Sequence, residues 1–235
     1  MKKNRLLRKI AVDGGSFNPL HNEHITRLIG ILKSSGFNLL GIDSLMILPS
    51  GSGGRKDKMI HIDPTLRLEM AEFLARAVQP HAKIPISVNP IDIFRSPNTP
   101  TYYLWKELLG QKFGRKLESK SEYQSIRFCF ILGSDWQPDS IRSQWVRGGR
   151  LVDPNTGCDF IITHREGYPR TYDASDYPNF HWVEYAPDYQ PKMLSSSEIR
   201  LKIKQGVDIS QDVPIFIKKL IEKHRLYQEA QFPIA

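Results

Sequence analysis

Cysteine is scarce: two in 235 residues, Cys129 and Cys158, with no CxxC spacing. That excludes a disulfide scaffold and a cysteine zinc cluster, and it points to a reduced, cytoplasmic compartment. Long apolar runs are missing too. No stretch is long enough to span a bilayer. The basic opening MKKNRLLRKIAV has its apolar part broken by Arg8 and Lys9, which leaves no signal-peptide core. There is no internal repeat, no low-complexity block and no RRM or zinc-finger pattern, and the basic residues are scattered. A specific nucleic-acid partner and a membrane partner are therefore not expected, while self-association is left open.

What is present is an ordinary globular balance, 40% hydrophobic and 25% charged, with 33 Lys and Arg against 25 Asp and Glu, a net charge of +8. Such an excess suits anionic ligands, phosphates among them. Apolar β-branched runs alternate with helical patterns. Leu6–Val12, Ser44–Leu48, Arg127–Leu132 and Asp159–Thr163 read as strands. His24–Lys33 reads as a helix with Ile25, Leu28, Ile29 and Leu32 on one face, and Thr65–Val78 as one with Leu66, Met70, Phe73 and Leu74 inside. Thr101–Leu109, behind Pro100, is a third helix, and Pro214–Tyr227 a long closing one. The alternation predicts an α/β fold, a mostly parallel sheet with helices on both faces. Ser50–Lys58, Gly110–Ser125 and Tyr168–Gln190 read as irregular connections, and none marks a boundary. Residues 1–235 are expected to form one domain.

The chemistry concentrates in Gly14–His24, GGSFNPLHNEH, which leaves the first strand. Gly14 and Gly15 let the backbone turn and a ligand approach it closely. The helix that follows would offer free N–H groups and a positive dipole end at a strand's carboxyl end. The loop is neither GxGxxG nor GxxxxGK[ST]. His21 and His24, three residues apart, can face one ligand, and imidazole N–H groups donate well to phosphate oxygens. A helix cap, or a zinc pair lacking a third ligand, is the plainer reading of two histidines. The adjoining glycines favour phosphate.

The stretch resembles the GGSFxPxHxGH loop of the (T/H)xGH nucleotidyltransferases, and in particular of the nicotinate (nicotinamide) mononucleotide adenylyltransferase family. Further segments agree in order. Arg67–Met70 resembles that family's RxxM helix, Gly133-Ser134-Asp135 with Trp145 its GxD…W segment, and Arg165–Tyr168 its RPGY stretch. Ser195–Arg200 resembles SSTxIR, and Val213-Pro214 with Leu226-Tyr227 its closing helix. The chain departs from the pattern at Asn18, at Glu23 between the histidines, and at Gly53–Lys58, GGRKDK, where the family has PPHK. Relatives acting on nicotinamide mononucleotide also carry SFNP and a non-glycine between the histidines.

SSSEIR has its own physics. Ser195 and Glu198 have capping-box spacing, so a helix should begin at Ser195 or Ser196. Its first amides, the hydroxyls of Ser195, Ser196 and Ser197, and the Arg200 guanidinium can all meet an anion. An ordinary capped surface helix has the same signature.

The resemblance implies a doubly wound, Rossmann-like domain that transfers the adenylyl group of ATP to nicotinate mononucleotide, giving nicotinate adenine dinucleotide and pyrophosphate. Nicotinamide mononucleotide, or a sister reaction with pantetheine phosphate or CTP, is the alternative, and a non-catalytic dinucleotide sensor lies outside the enzyme class. His24, His21 and Arg200 would be catalytic. ATP would be held by Gly14, Gly15, Ser16, Phe17, Gly133, Asp135, Ser195, Ser196, Ser197 and a loop lysine, Lys56 or Lys58. The acceptor would meet Asn18, Thr101, Trp136, Trp145 and Arg165. Either tryptophan can stack on a pyridine ring or sit in the core. Mg²⁺ is expected to be bound mainly through the ATP phosphates, with no metal site on the chain itself.

Overall fold

The computed structural model describes residues 7–52, 62–113, 126–192 and 194–228. Their strands are β1 (Arg8–Gly15), β2 (Ser44–Pro49), β3 (Ile86–Val88), β4 (Ile126–Gly133), β5 (Cys158–Thr163) and β6 (Phe180–Val183). They form one sheet of order β3-β2-β1-β4-β5-β6, in which every neighbouring pair is parallel. This is the doubly wound, Rossmann-like order. The direction of winding reverses between β1 and β4, and the crevice beyond their carboxyl ends is where such sheets bind ligands.

The strands alternate between two apolar layers. On one face Ala11, Leu45, Ile47, Cys129, Ile131 and Ile161 meet α1 (Asn22–Leu32), α3 (Pro64–Val78) and α8 (Ile215–Lys223). On the other, Ile10, Val12, Phe128, Phe130 and Phe160 meet α4 (Thr101–Phe113), α5 (Pro138–Gln144) and α6 (Gly148–Leu151). A short α2 (Ser35–Leu39) follows α1, and α7 (Ser196–Lys204) precedes α8. Cys129 and Cys158 fall in opposite layers and are free, buried thiols. Burial first, then Asp159, pushes the Cys129 thiol up to about 12.

Three expectations need correcting. Tyr168–Gln190 is not wholly irregular, because Phe180–Val183 adds the edge strand β6. The closing helix stops at Lys223 rather than Tyr227. Arg225 takes a left-handed backbone (φ 49°), which turns Leu226 and Tyr227 back into the core. Gly110–Phe113, expected to open a connection, instead continue α4, and the rest of the expected connections Ser50–Lys58 and Gly110–Ser125, residues 53–58 and 114–125, lies outside the described residues.

Candidate active site

The loop after β1 is held from all sides by its carbonyls. Ser50 N–H donates to the Gly15 carbonyl (2.9 Å). Arg67, from α3 and only 1% exposed, donates to the carbonyls of Ser16 (3.3 Å), Ser50 (2.6 Å) and Ile93 (3.3 Å). Arg200 Nη1 donates to the Asn18 carbonyl (2.7 Å), and Ser196 Oγ to that of Pro19 (3.0 Å). Tyr227 Oη donates to Asn18 Oδ1 (2.7 Å). Among the described residues the N–H groups of Ser16, Phe17 and Asn18 donate to nothing. Such a run of unspent amides at a strand's carboxyl end is an anion cradle.

Glycine is needed here for space rather than for turning. The positive φ belongs to Phe17 (45°). A Cβ on Gly15 would lie 3.0 Å from the Phe17 ring, which is buried beneath the loop. A Cβ on the exposed Gly14 would meet only Leu48 O, at 3.9 Å, so glycine there leaves bare backbone for a ligand.

His21 is the extended N-cap of α1, which starts two residues earlier than its apolar pattern suggested. His21 N–H donates to His24 Nδ1 (3.2 Å). That bond leaves Nδ1 without a proton, so neutral His24 carries its hydrogen on Nε2 as a donor. The two rings lie 3.7 Å apart, and His21 Nδ1 is buried without a partner. Burial, then Arg27, lowers His21 to about 4, and burial, then His21 and Arg27, holds His24 well below its usual value. Both imidazoles are therefore neutral donors at pH 7 in the free protein. Arg27 stands behind them, paired with the buried Asp13 (2.6 Å).

The Ser195–Glu198 capping box forms as its spacing predicts. Ser195 caps α7: Glu198 N–H donates to Ser195 Oγ (3.2 Å) and Ser195 N–H to Glu198 Oε2 (2.8 Å). Arg200 bridges the two halves, with Nη2 on Ser197 Oγ (3.1 Å) and Nη1 on the Asn18 carbonyl. Asn18 is 6% exposed and fastened to Tyr227, so it braces this junction rather than lining the neighbouring cavity.

That cavity, about 240 Å³, opens between the carboxyl ends of β1, β2 and β4. It brings together Gly14, Gly15, Thr101 and Trp145. Trp136 is not in its wall and packs edge-on against Trp145 at 5.1 Å. Asp135 leaves β4 toward Arg165 (2.9 Å) and keeps Oδ1 buried and unpaired. Gly133 is required beside it, because a Cβ there would sit 2.6 Å from that oxygen. Ser134 is a hidden hub: its Oγ accepts from Arg165 N–H (2.9 Å) and donates to the Tyr168 carbonyl (2.7 Å). Lys56 and Lys58 lie outside the described residues.

Sequence reading missed Asp92. It is buried in the cavity wall, and its carboxylate accepts from Gly51 N–H and Thr99 N–H, each at 2.8 Å. Its only local signal is an acid between two isoleucines, Ile91 and Ile93. Among the described residues no group of three or more His, Cys, Asp or Glu is placed to hold a metal ion. Nor is any described helix long and apolar enough to cross a membrane.

No family model matches the chain. It is 26% identical over 225 residues to the "Probable nicotinate-nucleotide adenylyltransferase" of Clostridium acetobutylicum, covering 94% of this chain and 100% of that protein. The Streptococcus mutans protein of the same name is 25% identical, over 97% of this chain and 92% of its own length. In fold, the chain matches Plasmodium falciparum nicotinic acid mononucleotide adenylyltransferase complexed with NaAD at TM-score 0.66 and 26% identity, covering 94% of this chain and 97% of that one. Along nearly its whole length, in sequence and in fold, the chain is similar to nicotinate-nucleotide adenylyltransferases.

Proposed function

We propose that the chain joins ATP and nicotinate mononucleotide into nicotinate adenine dinucleotide, a step of NAD biosynthesis, with release of pyrophosphate. The observation that carries this reading is the set of unspent donors, from the loop after β1 and from His24 Nε2, gathered at the switch point beside the cavity. An oxygen of the acceptor's 5′-phosphate forms a bond to the α-phosphorus. The bond from that phosphorus to the β-bridging oxygen breaks, and pyrophosphate takes the electron pair. The nucleophile is already an anion, so no general base is required. Catalysis is positioning and charge stabilisation.

His24 Nε2–H donates to an α-phosphate oxygen, and His21 lies against the leaving phosphates. Arg200 and the first amides of α7 receive pyrophosphate. Asp135 accepts from ribose hydroxyls with its free oxygen. Mg²⁺ would be held mainly by the ATP phosphates and would offset their charge.

Trp145 and Thr101 face the pyridine ring. Thr101 is the first residue of α4, whose positive end is turned to the cavity and favours a carboxylate over an amide. Asp92 stands in the same wall, but both its oxygens already accept N–H groups. An amide's N–H₂ facing protein donors would cost about 1–3 kcal/mol. Nicotinate mononucleotide is thus the preferred acceptor, by roughly tenfold or more in kcat/KM. Arg200 and Ser196 fasten α7 to the loop after β1, which supports reading residues 1–235 as one domain, and the buried free thiols suit a reducing, cytoplasmic setting.

The test is pyrophosphate release with ATP against a panel of phosphorylated acceptors. Turnover with neither pyridine mononucleotide would overturn the function. Equal kcat/KM for the two would overturn only the acceptor preference.

A further inference from the structure

Glu23 stands between the two histidines, in the first turn of α1, where the resembling loop has glycine. A carboxylate at that place is an awkward neighbour for a triphosphate. The helix's positive end attracts it, and from the first turn it can swing toward the place the phosphates would take. Here it does not. Tyr189 Oη donates to Glu23 Oε1, and Thr26 Oγ1 donates to Glu23 Oε2 (3.2 Å). Thr26 Oγ1 is equally close to the Asn22 carbonyl (3.2 Å), so Tyr189 is the partner that holds the carboxylate on the flank of α1.

Tyr189 is fastened to that flank by features unrelated to Glu23. Ala186 N–H donates to the Gly30 carbonyl (2.9 Å), and Tyr189 N–H to the Ala186 carbonyl (2.9 Å). The Tyr189 ring lies so close over Gly30 that a Cβ there would come within 2.6 Å of it. Tyr185 packs against Tyr189 at 4.5 Å. Burial, then Glu23, raises the Tyr189 pKa, so its hydroxyl stays protonated and donating.

We propose that Tyr189 is a positioning residue for the phosphate site: it tethers the Glu23 carboxylate on the flank of α1 and so keeps its negative charge away from the helix's positive end, where the ATP phosphates bind. This rests on reading the histidine loop as the site of the ATP phosphates. A freed Glu23 would turn toward the helix's positive end and compete with the nucleotide. A merely structural Tyr189 would give a different pattern, because removing charge from Glu23 could not then repair its loss.

The experiment uses the full chain and two readouts: calorimetric affinity for α,β-methylene ATP, and KM for ATP in turnover. Tyr189→Phe keeps the ring on Gly30 and removes only the hydroxyl. It should weaken the analogue and raise KM by about fivefold, the size of a charge effect at a helix end, with kcat little changed. Adding Glu23→Gln to Tyr189→Phe should restore the affinity, and Glu23→Gln alone should bind at least as tightly as the parent. Unaltered affinity in Tyr189→Phe, or a double variant no better than Tyr189→Phe, overturns the tether while leaving the functional reading intact. A parent that binds the analogue but releases no pyrophosphate overturns the enzymatic reading, and the variants still decide the tether. A parent that does not bind the analogue overturns both.

Discussion

At the carboxyl ends of the strands a cavity of about 240 Å³ opens beside the loop after β1, where among the described residues the N–H groups of Ser16, Phe17 and Asn18 donate to nothing. At the amino ends a larger cavity, about 290 Å³, is lined by Lys9, Arg127, Asp159 and His181, and there each of these side chains has a partner. Arg127 lies 2.5 Å from Asp159, His181 Nε2 3.5 Å from its other oxygen, and Lys9 Nζ donates to the Leu40 carbonyl (2.9 Å). Size and charge would favour the amino end as a binding site. What distinguishes the carboxyl end is a run of donors left unused; the unpaired buried atom beside the amino-end cavity, Asn179 Oδ1, is a lone acceptor. A buried polar group without a partner is costly, so a fold keeps several together only where a ligand completes them.

The largest expected effect tests the unused donors directly. His24→Ala removes the Nε2–H proposed to meet the reacting phosphate and should lower kcat by about 10²–10³, with a far smaller rise in KM for ATP. Steady-state kinetics decide this, and a kcat within a few-fold of the parent would remove His24 from the chemistry.

The opposite end should respond in stability alone. Arg127→Gln leaves the Asp159 carboxylate, 4% exposed, without its main partner. Breaking a buried pair in this way should cost about 3 kcal/mol in urea unfolding, while kcat and KM stay at parental values. Altered kinetics with unaltered stability would erase the distinction between the two ends.

Acid sharpens the same contrast. His21 falls from its ordinary 6.5 to about 4 in the folded protein. Between those values the unfolded chain holds the extra proton. The stability that His21 contributes is therefore complete above 6.5 and falls as pH drops through the window. At pH 5 the loss should be roughly 2 kcal/mol from His21, with His24 adding to it. Urea melts at pH 7 and pH 5 measure this, and a His21→Asn variant should lose its share of the dependence. An identical pH slope in that variant would show that His21 is not held neutral by its surroundings.

Much of this contrast was legible in the sequence, and the boundary of legibility is physical. Strands buried on both faces read as continuous apolar runs, which is why β1, β2, β4 and β5 were found within a few residues. The Ser195–Glu198 cap is local chemistry and could be read directly. Short edge strands are not marked in this way: β3 has three residues, and β6 lies among Tyr, Pro and Asp. The braces of the loop were invisible for another reason. Tyr227 reaches Asn18 across 209 positions, and Arg67 acts through three carbonyls that carry no side-chain signature. The charge of the two histidines was not legible either. Their neutrality comes from burial and from Arg27 behind them, neither of which is apparent in HNEH.

Arg200 should show the smallest effect, and it joins loop and helix in one side chain. Spacing alone suggests a guanidinium in an open cleft, whose loss would leave stability untouched. In the fold, Nη1 is spent on the Asn18 carbonyl and Nη2 on Ser197 Oγ, so the same plane that meets pyrophosphate also ties α7 to the histidine loop. Lysine carries the charge but not the planar fork, and it cannot make both tethers and meet phosphate together. Arg200→Lys should therefore raise KM for ATP by about five- to tenfold, the loss of one hydrogen bond to a charged group. Arg200→Ala should do more, and it should also lower unfolding stability by about 1 kcal/mol because the Asn18 carbonyl loses its donor. Kinetics and urea melts on the same two variants separate these effects. If Arg200→Ala kept normal ATP kinetics while losing stability, Arg200 would be a brace alone, and the α7 end would have no claim on pyrophosphate.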